Sequence, residues 1–195
     1  MRVARLLSLA GAMLVLVAAP SVASANSHTF WRASAPNQLW VDPGAGAAGL
    51  SVLSVPNIGC TGVDMNGFCT GGIYPSLRGA RWIWKTHETV LEQNTSPYGP
   101  VVFVRRVDVP RNADNPIHAQ IRITADNAYD LFVNGAPVGS GNDWTVITTF
   151  QLTGAASLHP GANWLVIRVT NFAGPPAPFE NPAALLYKLR VHYST

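Results

Sequence analysis

Hydrophobic and polar residues alternate with a period of two through most of the chain after Trp82. The C-terminal segment shows the pattern best, with one set of residues alternating with another: Leu185, Tyr187, Leu189, Val191 and Tyr193 against Leu186, Lys188, Arg190 and His192. Successive side chains of a β-strand point to opposite faces of a sheet, so one face of this strand is predicted to be buried and the other wetted. Similar alternation occurs over residues 119–124, 129–133 and 164–170.

Turn signals separate these predicted strands. Asn134-Gly135 is a strong hairpin dipeptide because both residues tolerate positive φ, and Pro160-Gly161 predicts a tight turn before the strand that contains Trp164. Residues 101–109 and 145–152 are rich in β-branched side chains and predict two more strands. No window of a dozen residues has helical periodicity outside the N-terminal leader. Short strands at about 8–12-residue spacing predict an all-β sandwich or barrel.

The first 25 residues have the pattern of a secretory signal peptide. Arg2 and Arg5 form a positive start, residues 6–19 are apolar, and Ala23-Ser24-Ala25 is a small-x-small cleavage pattern. The alternative is a membrane anchor, but the apolar run is shorter than the roughly 20 residues that a spanning helix requires. We therefore expect cleavage after Ala25, export from the cell, and a mature chain with no membrane span.

The charge balance argues against nucleic acid as the main partner. Charged residues make up only 12% of the 195-residue chain, with 13 Lys and Arg against 10 Asp and Glu. Removal of Arg2 and Arg5 with the leader leaves 11 against 10, so the mature net charge is about +1. Nucleic-acid binders use clustered positive charge to displace counterions from phosphates. The densest basic pair here is Arg105-Arg106, and no longer basic run is present.

Export also affects how the two cysteines are interpreted. Cys60 and Cys69 would close a short polar, Gly-containing loop, and in an oxidising compartment a disulfide is the default expectation for such a pair. Residues 26–79 are less regular than the rest, so we expect an N-terminal arm or edge strands packed on the sandwich, with this disulfide loop in it. The regular sandwich is expected over residues 80–195.

Three loops carry polar side chains that suit ligand binding. They contribute, in chain order, Asp126 and Asn127; Asn142, Asp143 and Trp144; and the two ends of a long Pro-rich loop, Asn171 and Asn181. Long loops on a rigid sheet are frequent binding sites. Carboxylate and amide oxygens are hard ligands that suit Ca²⁺. An indole beside them would offer an apolar face to a pyranose ring, while amides bond its hydroxyls.

Two other interpretations of these residues stay open. Asp126-Asn127 is also typical of an Asx turn, and Trp144 is also typical of a core residue. Asp126 and Glu180 are the one carboxylate pair that we considered for glycosidase chemistry, which requires two acids facing each other across a cleft. Acids in turns more often cap backbone N–H groups, so the sequence favours a protein that is not an enzyme.

Four blocks of sequence resemble the galactose-binding-domain-like jelly roll, a β-sandwich found in many carbohydrate-binding modules of secreted bacterial proteins. The blocks are ARWIW (80–84), ITADNAYDLFVNGAPVGSGNDW (123–144), LHPGANWLVIRVTN (158–171) and NPAALLYKLRV (181–191). They cover most of the chain from Ala80 onward. The resemblance implies a jelly-roll β-sandwich whose ligand, where there is one, is a sugar.

Within that fold, the chain is similar to the rhamnose-binding modules of rhamnosidases. Those modules hold a calcium ion through an adjacent Asp-Asn pair and a later Asn, with a Trp nearby and the sugar at the ion. The matching positions are Asp126, Asn127 and Asn171, with Trp144 as the stacking residue. The resemblance therefore implies a Ca²⁺ that is structural or bridges to the ligand. The chain lacks the catalytic domain that those modules serve, and the region before Ala80 does not match.

Three functional hypotheses follow from the sequence. The first is a secreted, non-catalytic, lectin-like protein that binds carbohydrate at the loop end of the sandwich, with calcium as its one expected cofactor. The second is a cell-envelope structural or protein-interaction module on the same fold, which would use Phe172, Phe179 and the prolines of the long loop. The third is a secreted polysaccharide hydrolase or lyase. No residue pattern indicates the oligomeric state.

Overall fold

The computed structural model is built from two antiparallel β-sheets that pack face to face. It describes residues 26–35, 38–41, 55–56, 75–84, 99–172 and 183–195. The all-β sandwich predicted from the alternation is confirmed. Among the described residues, no helix is long and apolar enough to cross a membrane. The predicted leader and the Cys60–Cys69 pair lie outside the described ranges.

The first sheet has six strands centred on the C-terminal one. Its members are β1 (Ser27–Ala33), β3 (Val55–Pro56), β4 (Ile83–Trp84), β6 (Asp114–Asp126), β9 (Thr148–Leu152) and β11 (Ala184–Ser194). The strand order is β3-β4-β11-β6-β9, and β1 also pairs with β11, from Ser27 opposite Ser194 to Ala33 opposite Lys188. The N-terminal arm therefore starts as a strand of the sandwich.

The second sheet has five strands in the order β2-β5-β10-β7-β8. They are β2 (Leu39–Val41), β5 (Gly99–Val109), β7 (Ala128–Val133), β8 (Ala136–Gly141) and β10 (Gly161–Asn171). The predicted Asn134-Gly135 hairpin joins β7 to β8, and both residues have positive φ, 52° and 82°. These angles are typical of a type I′ turn, which matches the twist of the flanking strands.

The core lies between the sheets and is built from the inward-facing residues of the alternating strands. Ile121, Ile123 and Leu189 of the first sheet share one cluster with Leu131 and Ile167 of the second. The alternation that predicted strands over 185–193 and 164–170 is confirmed by their burial patterns. Burial of this apolar area is the main source of stability.

One predicted strand begins later than the sequence indicated. The β-branched run 145–152 predicted a strand from Thr145, but β9 begins at Thr148. The reason is a turn in which the Val146 N–H donates to the Asp143 carbonyl at 3.2 Å and the Thr145 N–H to the Asp143 carboxylate at 2.9 Å. Local turn bonds take these backbone donors away from the sheet.

A second, smaller cluster covers part of the outer face of the six-stranded sheet. Leu77 and Trp82 pack there with Ala184 and Leu186 of β11. The Trp82 indole N–H donates to the Pro75 carbonyl at 3.1 Å, which fixes the covering segment. This cover lies where β11 begins, and no described segment covers the other half of the outer face, toward the end of β11.

Candidate functional site at the loop end of the sandwich

The strand ends that precede the three loops singled out from the sequence lie together at one end of the sandwich. β6 ends at Asp126, β8 ends at Gly141 and β10 ends at Asn171. Strand register places the ends of β8 and β10 next to the start of β7, because Tyr129 of β7 pairs with Gly141 of β8, and Ala128 of β7 pairs with Thr170 of β10. We call this end the loop end.

Asp126 and Asn127 form a hydrogen-bonded link between the two sheets. The Asn127 side-chain amide donates to the Asp126 carboxylate at 2.8 Å, and its carbonyl oxygen accepts the Phe172 N–H at 2.7 Å. The Asn127 backbone N–H donates to the Thr170 carbonyl at 3.3 Å. Asp126 is buried, and the peptide bond that joins it to Asn127 is cis. Both polar ends of the Asn127 side chain are therefore used within the protein.

Asn171 differs from these two residues because its side chain is buried and no described residue bonds it. The residue is 1% exposed, and neither its amide oxygen nor its amide nitrogen is bonded within the described structure. Leaving such a group unpaired costs about 1–3 kcal/mol, so buried polar groups are normally satisfied by protein, water or an ion. Asn171 is therefore the residue of the predicted metal set whose oxygen is available to a ligand.

Asp143 and Trp144 have structural roles in the turn after β8. The Asp143 carboxylate accepts both the hydroxyl and the backbone N–H of Thr145, and these bonds hold the pKa of Asp143 below its usual value. The hydroxyl of Thr124, which is buried in β6, donates to the Trp144 carbonyl at 3.1 Å. The Trp144 side chain is half-buried. The turn is thereby fastened across the outer face of the six-stranded sheet.

A shallow depression lies beside this turn, on the outer face of the five-stranded sheet. It has a volume of about 320 Å³, and its polar side chains are those of Asp130, Ser140, Asn142 and Thr170. Ala128, Tyr129 and Gly141 complete its lining. The volume is at the lower end of the roughly 300–1,000 Å³ typical of small-molecule sites.

The electrostatics of the depression are set by one carboxylate. Asp130 is half-exposed and lies 4.0 Å from the guanidinium of Arg168 on the neighbouring strand. An ion pair this long and this exposed contributes little to stability, so the Asp130 oxygens can accept hydrogen bonds from a ligand. Burial raises the pKa of the Tyr129 phenol above its usual value.

The structure thus separates the predicted site residues into groups. Asn142 lines the depression, Asp126 and Asn127 form the link beside it, and Asn171 is buried at the end of β10. Asn181 and Glu180 lie outside the described residues. Sequence reasoning missed Asp130, Ser140 and Thr170. Asp130 and Thr170 lie at outward positions of alternating strands, and that signal alone does not separate a ligand contact from a wetted surface.

Comparison with known proteins gives structural similarity and no family. No protein-family model and no curated protein matches the sequence. A lectin from Pleurotus ostreatus, solved in complex with GalNAc, is 30% identical, with a TM-score of 0.47 over 62% of this chain and 32% of that one. An FMN-binding β-glucuronidase from Facaelibacterium prausnitzii L2-6 is 14% identical, with a TM-score of 0.52 over 85% of this chain and 23% of that one.

A further β-glucuronidase, from glycoside hydrolase family 2, is 14% identical with a TM-score of 0.49 over 87% of this chain and 18% of that one. The chain therefore spans less than a third of the length of each of these three proteins. At such identities the likeness concerns the fold. The chain has a β-sandwich fold that also occurs within a β-glucuronidase, and this fold is compatible with the galactose-binding-like architecture that the sequence resembles.

Proposed function

We propose that this protein is an exported, non-catalytic carbohydrate-binding protein that holds a sugar at the loop end of its sandwich. The observation that carries the proposal is the depression beside Asn127, whose wall presents a carboxylate, an amide and two hydroxyls within one small volume. Sugar recognition requires several donors and acceptors at fixed positions on a rigid surface. Strands β7, β8 and β10 provide that rigidity.

Each polar group of the depression suits a sugar hydroxyl. Asp130 accepts hydrogen bonds, Asn142 both donates and accepts, and the Ser140 and Thr170 hydroxyls can do either. Asn142 and Ser140 are exposed, so they exchange bonds with water for bonds with a ligand at little cost. The half-buried Trp144 follows Asn142 by two residues but does not line the depression and is bonded to the six-stranded sheet, so this proposal assigns it no contact with the sugar.

The proposal includes a calcium ion held by Asp126, Asn127 and Asn171. Its support is chemical, since Asp126 supplies a carboxylate and Asn171 a buried amide oxygen that no described residue bonds. An ion there would satisfy the Asn171 oxygen and strengthen the link between β6 and β10. Calcium would then be structural beneath the sugar site, or would bridge to the ligand.

A non-catalytic role is proposed because two of the three described acids at the loop end have structural partners, which leaves Asp130 as the single carboxylate of the depression. Asp126 accepts the Asn127 amide, and Asp143 accepts the two Thr145 donors. A hydrolase would require two carboxylates converging on one bond. Export is proposed from the leader pattern of residues 1–25.

A glycan array followed by affinity electrophoresis tests the proposal. Wild-type protein is expected to bind at least one neutral glycan, and Asn142→Ala should weaken that binding about tenfold, as loss of one or two hydrogen bonds to a ligand implies. Asn112→Ala is the matched control, because Asn112 is equally exposed in the turn between β5 and β6. Absence of binding to every glycan with calcium present, or equal effects of the two variants, would contradict the proposal.

A further inference from the structure

The open half of the outer face of the six-stranded sheet carries an unusual set of side chains. Register places these side chains in rows across the strands: Arg190 lies between Trp31 and Gln120, His192 beside His118, and Lys188 beside Arg122. Their neighbours in sequence face the core, as the burial of Ile121, Leu189 and Val191 shows. We call the surface formed by Trp31, His118, Arg122, Lys188, Arg190 and His192 the basic face.

A depression of about 200 Å³ lies in the middle of the basic face. Its walls are the side chains of His118, Gln120, Gln151, Arg190 and His192. The imidazoles of His118 and His192 stack with their centroids 6.4 Å apart, and His192 is also hydrogen-bonded to the Thr29 hydroxyl at 3.0 Å. The alternation predicts that His192 lies on the wetted face of the last strand, and the structure places it half-buried on that face among these groups.

The charged side chains of the basic face are all cationic. Arg122, Lys188 and Arg190 lie within its rows, and the residues paired with them across the strands include no Asp or Glu. Within the described ranges, Arg122 and Arg190 have no ion pair. By contrast, the outward arginines Arg106 and Arg168 of the other sheet each lie by an aspartate. An uncompensated guanidinium is a bidentate site for a carboxylate.

Trp31 adds a flat apolar surface at the edge of these cations. It is 50% exposed, and the Lys188 ammonium and the Arg190 guanidinium lie 4.5 and 5.7 Å from its ring centroid. Both cation contacts hold the indole beside the charged row. A sugar ring on the exposed part of the indole would place its substituents near these cations.

We infer that the basic face is a second binding site, and that it takes a carboxylate-bearing polysaccharide such as a chain of uronic acids. The side chains combine the three features that such a ligand requires: cations for the carboxylates, amides of Gln120 and Gln151 for hydroxyls, and an indole for the ring. The site is separate from the loop end, since Gln120 and Asp126 are six residues apart on β6, about 20 Å. The two proposed sites can therefore be tested independently of each other.

Native affinity electrophoresis in gels that contain polygalacturonate tests this inference, with a neutral polysaccharide and DNA in parallel gels. Wild-type protein is expected to be retarded by polygalacturonate and much less by the other two polymers. The double variant Arg122→Gln/Arg190→Gln should lower the affinity at least about tenfold, because each charge-assisted bond is stronger than a neutral one. The matched control Arg106→Gln/Arg111→Gln removes the same charge from exposed positions elsewhere.

A second pair of variants tests the indole. Trp31→Ala should weaken retardation severalfold, whereas Trp164→Ala, which removes a comparably exposed indole from the other sheet, should not. Unchanged melting temperatures establish that all variants are folded. The inference would be overturned if the Arg122→Gln/Arg190→Gln and Arg106→Gln/Arg111→Gln variants were retarded equally, or if the protein bound DNA as tightly as polygalacturonate. Asn142→Ala should leave retardation by polygalacturonate intact, which separates this result from a test of the loop end.

Discussion

Asn171 and Asp126 are the residues at which a calcium ion would change the energetics most. Asn171 is buried with no hydrogen-bond partner among the described residues, and Asp126 is a buried carboxylate on the strand that ends beside it. An unpaired buried amide is destabilising unless something coordinates it. A bound cation would turn this cost into a favourable contact, and binding to the folded state alone raises the melting temperature by mass action.

Thermal unfolding with calcium and with EDTA tests this directly. We expect calcium at about 100 times its dissociation constant to stabilise wild-type protein by about 2.7 kcal/mol, and to have no effect on Asp126→Ala. Because Asp126 also accepts the Asn127 amide, the variant is less stable in both conditions, so the quantity compared is the calcium-induced shift within each protein. Asp108→Ala, at an exposed ion pair on β5, is the control and should keep the wild-type shift. No calcium shift in wild type would show that the Asp-Asn pair is only a structural link.

Tyr187 makes stability depend on pH in the alkaline range. It is fully buried, its hydroxyl donates to Gln38 at 2.7 Å, and burial raises its pKa above the ordinary value near 10. A raised folded-state pKa means that its contribution is complete below pH 10 and is lost as the pH rises further. We expect the melting temperature of wild type to fall above about pH 10 more steeply than that of Tyr187→Phe.

Below that pH, Tyr187→Phe should be the less stable protein by about 1–3 kcal/mol, because Gln38 is left without its donor. Tyr193→Phe removes a half-buried hydroxyl from the same strand and should leave the wild-type profile unchanged. Parallel pH profiles for wild type and Tyr187→Phe would contradict the assignment of the alkaline loss to Tyr187.

At the scale of single elements, the β7–β8 hairpin forms most of the loop-end depression. Gly141 pairs with Tyr129, and a Cβ at Gly141 would lie 2.7 Å from the Tyr129 ring, closer than the buried ring can accept without moving. We expect Gly141→Ala to destabilise the protein by roughly 1–3 kcal/mol in urea unfolding, as overpacking does. It should also weaken sugar binding, because both residues line the depression.

Ser140→Ala is the matched control for stability, since Ser140 is exposed on the same strand and should change it by less than about 0.5 kcal/mol. Equal stability of the two variants would mean that Tyr129 moves freely. The hairpin would then not be the rigid wall that the proposal requires.

The elements that the sequence predicts well are those with local signals. The alternation over 185–193 predicted β11, and Asn134-Gly135 predicted the hairpin turn, because strand periodicity and positive φ depend on the residues themselves. The pairing of β1 with β11 has no such signal, since it joins residues about 160 positions apart. The same holds for Asn163, whose buried amide joins Asn134, His159, Val107 and Gly161 through five hydrogen bonds.

Prediction of the site was partial for the same reason. Asn142 was selected as a polar loop residue and does line a depression, while Asp143 in the same run is occupied by its own turn. Asp130 and Thr170 could not be predicted as site residues, because the residues that line the depression with them lie on other strands. No sequence signal indicated the basic face, because only sheet register brings Trp31, Arg190 and Gln120 into one row.

At the scale of the whole molecule, the sandwich presents two polar surfaces on opposite sheets. The loop-end depression belongs to the outer face of the five-stranded sheet, and the basic face to the open half of the six-stranded sheet. Two sites on one rigid body can engage one glycan or two neighbouring ones, and even weak sites gain affinity when both are engaged. If both proposed sites bind, this arrangement would strengthen attachment to a polysaccharide surface.

The measurement that tests the central claim most directly is NMR mapping of the sugar site. A neutral glycan that the array identifies would be titrated into isotope-labelled protein with calcium present. The account predicts that the largest shifts fall on the amides of Ala128, Asp130, Gly141, Asn142 and Thr170. Shifts confined to other parts of the surface, or no saturable shifts at all, would contradict the placement of the sugar at the loop end.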